Sequence, residues 1–142
     1  MRKTALVLLL IFLTVPLSCG KKEVKPVSQD SKTAEEAFAL AEHIRDSFMK
    51  NDRDALLKDT TESGFKDIFA GGKSYGSVEL EFTPRWVEID QAKVTLNITW
   101  KSTWTVSGRH DEDRGMAVFV MEGKPLKLTR VERSNPFNVP GQ

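Results

Sequence analysis

The chain has 142 residues, 39% of them hydrophobic and 29% charged, and its 21 basic and 20 acidic residues leave a formal net charge of +1. That balance excludes the basic excess of a nucleic-acid binder, so no nucleic-acid partner is expected. The single cysteine, Cys19, excludes an internal disulfide, and a folded domain must therefore rest on its hydrophobic core.

Arg2 and Lys3 precede an apolar run from Ala5 to Leu17. Cations before a short apolar stretch read as a secretory signal peptide. A spanning helix needs about 20 apolar residues, and this run is shorter and broken by Pro16. Ser18-Cys19-Gly20 resembles the end of a bacterial lipoprotein signal, where a small residue precedes a cysteine that is lipidated and becomes the new N-terminus. Pro16 stands where such signals usually carry Leu. The rival is ordinary cleavage after Gly20, which would remove the cysteine. Lipid attachment at Cys19 accounts for a sole cysteine at that point. Processing of such signals supplies at least two acyl chains, enough for durable attachment to a membrane. Gly20 is not the aspartate associated with inner-membrane retention, so an outer-membrane anchor facing the periplasm is expected in a two-membrane cell. In any other cell the expectation is the extracytoplasmic face of the cell membrane.

The expected organisation is a signal peptide over 1–18, a lipidated cysteine and flexible tether over 19–32, one domain over 33–137 and a tail over 138–142. The tether is polar and carries Pro26, with too few apolar residues to fold. The domain is long enough for one core and too short for two.

Thr33-Ala34-Glu35-Glu36 has the pattern of a capping box and predicts a helix start at Thr33. Ala34, Ala37, Phe38, Ala41, Ile44 and Phe48 then recur at helical spacing, which carries the helix to about Lys50. Asp52 is placed to cap a second helix containing Leu56, and Ser63 a third containing Phe65, Ile68 and Phe69. From Ser77 the period changes to two. Val78, Leu80 and Phe82 alternate with polar residues, and the slip to Val87 and Ile89 after Pro84 predicts a bulge there. Val94 to Val106 forms a long strand with one apolar face, interrupted on that face by Ser102. Gly108 to Gly115 reads as a hairpin tip, Gly115 to Met121 as a central strand apolar on both faces, and Leu126 to Val131 as a last strand. The fold class is α+β, with N-terminal helices packed on a strongly curved four-stranded antiparallel sheet.

The long first helix, the passage Phe48-Met49-Lys50-Asn51-Asp52-Arg53-Asp54-Ala55-Leu56 and the long bent strands resemble the nuclear transport factor 2-like superfamily, or cystatin-like α+β roll. The resemblance covers about 34–137 and includes no catalytic motif. It implies a conical pocket, a His or Asp inside the cone in catalytic members, and pairing through the outer sheet face in many members.

The chemistry-bearing residues point to no reaction. His43 reads as a boundary residue of the first helix, and His110 as part of a solvated hairpin tip. Around His110 the neighbours Asp111, Glu112 and Asp113 diverge too strongly to converge on a metal. Glu88 and Asp90 are the acids left for a hydrolase- or isomerase-like enzyme. Trp100 reads as core, whereas Trp86 and Trp104 are candidates to grip a small apolar ligand. Asn97-Ile98-Thr99 matches a glycosylation sequon by chance, and neither a phosphate-cradling loop nor a serine nucleophile elbow is visible. No catalytic residue, metal site or cofactor is assigned. The expectation is a non-catalytic, lipid-anchored envelope domain that binds a small ligand or a protein. The alternatives are an enzyme with an acid in the cone and a module that homodimerises through its outer sheet face.

Overall fold

The computed structural model describes residues 27–72 and 74–141. The signal peptide, Cys19 and the tether up to residue 26 lie outside the described residues. The chain runs through α1 (Gln29–Met49), α2 (Arg53–Asp59), α3 (Glu62–Ile68), β1 (Ser77–Asp90), β2 (Lys93–Val106), β3 (Arg109–Glu122) and β4 (Lys127–Arg133). The strands form one antiparallel sheet in the order β1-β2-β3-β4.

Helix α1 starts one turn earlier than the expected Thr33, inside what was read as tether. The Ser28 side chain accepts from the Ser31 amide at 3.1 Å and caps it. The capping box does not form because both its side chains are engaged elsewhere. Thr33 donates to the Gln29 carbonyl at 3.0 Å, and Glu36 accepts from the Leu126 amide at 2.9 Å, pinning α1 to the start of β4. Asp52 caps α2 as expected, accepting from the Ala55 amide at 3.0 Å. The cap of α3 is Thr61 rather than Ser63. Its selection is tertiary: the Thr61 amide donates to the Leu128 carbonyl at 2.9 Å, and Thr60 bridges Leu128 in parallel. Gly64 then lets α3 lie directly on β4, since a Cβ there would stand 2.1 Å from the Leu128 carbonyl oxygen.

The expected bulge falls between Pro84 and Trp86. The hairpin tip is shorter than expected, because Ser107 and Gly108 alone make the turn, both at positive φ. Arg109 to Arg114 therefore continue as strand, paired residue for residue with Val106 to Lys101. Their charges had masked the strand, yet an alternating strand with one solvated face accommodates them.

The inner sheet face packs on α1. Val78, Leu80 and Phe82, Leu96, Ile98 and Trp100, and Phe119 and Met121 meet Ala37, Ala41, Ile44 and Phe48. Ser102, the polar interruption on this face, accepts a 3.0 Å hydrogen bond from the Trp104 indole and so satisfies a buried donor. Trp100 lies opposite Gly115, which leaves room for its indole, and donates to the Ser134 carbonyl at 3.0 Å. The chain end belongs to the domain. Phe137 lies 4.9 Å from Phe48 between ring centroids, and Val139, expected in a tail, is buried in the same core.

Candidate binding surfaces

The cone formed by α1 and the inner sheet face is filled. Phe48, Phe82, Phe119 and Phe137 contact one another at centroid separations of 4.9 to 6.1 Å. The buried polar or charged residues among those described are Ser47, Thr60, Asn97 and Ser102, none of them ionisable at ordinary pH. Glu88 and Asp90 are exposed and alternate with Val87 and Ile89, which pack against the core, so both acids project from the other face of the sheet. His43 pairs with Asp59 on the helical surface, and His110 meets the Thr105 hydroxyl at 3.2 Å on the exposed end of β3. Among the described residues no group of three or more His, Cys, Asp or Glu is placed to hold a metal ion.

The two candidate ligand-binding tryptophans lie on opposite sides of the sheet. Trp104 is fully buried between Phe48 and Tyr75, with its indole nitrogen already bonded. It is a core residue, because the aromatic cluster closes over it. Trp86 is 51% exposed on the outer face. It lies in a cross-strand row Trp86-Asn97-Val118-Glu132, beside a row Thr83-Thr99-Met116 and a row Glu88-Thr95-Val120-Arg130. Met116 is 46% exposed.

At the centre of this patch Asn97 is only 2% exposed, and its side-chain nitrogen has no hydrogen-bond partner among the described residues. Leaving such a donor unmet costs about 1 to 3 kcal/mol. The sequon containing Asn97 is thus embedded in the sheet with its amide buried. Sequence reasoning missed Asn97, Met116 and Val118. A signal was present: a β3 run that is apolar at every position from Met116 to Met121 places some apolar side chains outward.

The other half of the outer face is charged. Glu79, Thr103 and Glu112 form one row, and Glu81, Lys101 and Arg114 the next, around a depression of about 660 Å³. None of these five charged side chains forms an ion pair among the described residues.

The fold has a known counterpart. A nuclear transport factor 2 (NTF2-like) superfamily protein from Salmonella enterica subsp. enterica serovar Typhimurium str. LT2 superposes with a TM-score of 0.65. The match covers 80% of this chain and 99% of that one at 15% identity. The domain has the nuclear transport factor 2-like fold. At that identity the likeness concerns the fold alone. No protein-family model matches the sequence, and no curated protein matches it. The nuclear transport factor 2-like scaffold serves both ligand binding and catalysis, and the distinction has to come from side chains. In this chain the space under the sheet is occupied by phenylalanines, and the unpaired Asn97 amide lies on the other face.

Proposed function

We propose that the protein is a lipid-anchored, non-catalytic module of the cell envelope that pairs with a second copy of itself through the outer face of its sheet. The observation that carries the pairing is the juxtaposition of exposed Trp86 and Met116 with the buried, unpaired amide of Asn97. Aromatic and Met side chains are enriched at interfaces, and an unmet buried donor is satisfied when a partner brings an acceptor. A two-fold axis through this patch would set Asn97 near its own counterpart, whose carboxamide oxygen is the acceptor that the buried nitrogen lacks. The filled cone supports a role outside catalysis, since an acid or base tuned for proton transfer needs a pocket that admits substrate.

The anchor rests on Cys19 and the leader that precedes it, and the outer membrane facing the periplasm is the proposed location. Intact mass of the mature N-terminus tests it: a lipidated Cys19 supports the anchor, and Lys21 as first residue refutes it. Light scattering of the purified protein tests the pairing. A dimer that Trp86→Glu and Met116→Lys convert to monomer supports it, and a monomer at high concentration in the wild type refutes it.

A further inference from the structure

We infer that the cleft at the C-terminal end of α1 is a binding site for a monocarboxylate with an apolar, aryl or alkyl body. The site is separate from the outer sheet face and rests on different observations. The cleft has a volume of about 690 Å³ and lies between the end of α1, the end of α3, the segment before β1 and the C-terminal residues. That size is within the range of small-molecule sites, about 300 to 1,000 Å³.

Its lining has two distinct parts. The floor and walls are apolar: Phe48 and Phe137 are buried beneath it, and Phe69 and Tyr75 are half-buried at its sides. Phe48 lies 6.1 Å from Phe69 and 6.0 Å from Tyr75, so the rings form one continuous aromatic surface. The rim is cationic. Among the described residues Lys50 and Arg53 line the cleft, and no Asp or Glu does. Neither cation forms an ion pair among the described residues. The Arg53 guanidinium lies over the Phe69 ring at 4.4 Å from its centroid, which holds the charge at the edge of the aromatic wall. Burial pushes the Tyr75 phenol above its ordinary pKa, so it stays uncharged and adds no negative charge to the site. An apolar body against the rings with one anionic group at the rim satisfies both parts. A neutral body leaves the cations unused, and a cationic one is repelled.

The test uses the full chain in phospholipid nanodiscs, with empty nanodiscs as the blank. Saturation-transfer NMR compares phenylbutyrate with its neutral isostere phenylbutyramide, and the emission of Trp104, whose ring lies 4.9 Å from that of Tyr75, reports occupancy independently. Phenylbutyrate binds saturably, and the amide binds more weakly by up to about fivefold, the ratio expected when one exposed charge pair is lost. Lys50→Glu and, separately, Arg53→Gln narrow that ratio, while Glu122→Gln, at an exposed residue that does not line the cleft, leaves it unchanged. Equal binding of acid and amide overturns the inference. So does a signal no larger than that of empty nanodiscs, or a ratio that survives Lys50→Glu.

Discussion

Gly64→Ala provides a severe test because helix propensity and tertiary packing demand opposite signs. Gly64 lies within α3, where replacing glycine by alanine at an exposed position stabilises a helix by about 1 kcal/mol. Here the new Cβ would stand 2.1 Å from the Leu128 carbonyl oxygen and 2.8 Å from its carbon. Both atoms belong to the backbone of a paired strand, so no side-chain rotation relieves the contact. The helix must instead withdraw from β4. Withdrawal stretches the bonds that tie the two together: Thr61 amide to Leu128 carbonyl at 2.9 Å, Val131 amide to the Asp67 carboxylate at 2.8 Å, and the Asn135 side chain to the Asp67 carbonyl at 2.7 Å. Overpacking costs about 1 to 3 kcal/mol and each of the three weakened hydrogen bonds about 1 kcal/mol, so the net loss is roughly 3 to 5 kcal/mol after the propensity gain. In a domain of this size the melting temperature falls by roughly 10 °C or more. Urea unfolding followed by circular dichroism measures the change, with an unchanged m-value as the sign that the native state keeps its compactness. A variant more stable than wild type would refute the docking of α3 on β4.

Gly115→Val is expected to destabilise by about 2 kcal/mol or more, read from thermal melts, because a Cβ there meets Ser134 Oγ at 2.7 Å and Trp100 Cζ2 at 2.9 Å. Its near-ultraviolet circular dichroism should change as the Trp100 indole is displaced. Asn97→Val is expected to raise the stability of the monomer by about 1 kcal/mol in urea titrations, since it removes an unmet donor, while weakening dimerisation in light scattering. A gain in both would show that the amide has no partner to find. Tyr75 has a pKa raised above 10.0 by burial, so the folded state favours the protonated phenol. Its contribution to stability is complete below the unfolded value and is lost as pH rises through the folded one. Melting temperature should therefore fall more steeply above about pH 10 in the wild type than in Tyr75→Phe, and equal slopes would refute this.

What could be read from residues alone was the local pattern. The alternation from Val94 to Val106, the slip at Pro84 and the stripe from Ala37 to Phe48 depend on periodicity, and each predicted element is present. What escaped was decided by contacts between distant segments. Glu36 reads as half of a capping box until the Leu126 amide is brought to it across the fold. Ser63 and Thr61 are equivalent caps until the Leu128 carbonyl selects Thr61. Gly108 to Gly115 looks like a charged loop until the length of β2 gives Arg109 to Gly115 a partner each. Val139 looks like a tail until Phe137 is seen to enter the core beside it. The surface chemistry was hidden for a related reason: Trp86, Asn97 and Met116 come from three strands, and only the register aligns them.

That register also decides which side chains reach the outer face of the sheet. The inner half of β3 directs Ala117, Phe119 and Met121 into the core, so Val118 and Val120 necessarily point the other way. They are buried, at 6% and 5% exposure, although they lie outside the core cluster. A polar residue at either position would have kept the outer face wet at no cost to the core. The run is instead apolar throughout, and it ends where Arg114 and Glu112 begin to alternate with Asp113. Charge is therefore confined to one half of the outer face and apolar surface to the other. Such a division adds nothing to the core, which α1 covers from the inner side. Under the proposed pairing, the apolar centre would hold the second copy while the unpaired charges beside it would restrict which partner fits.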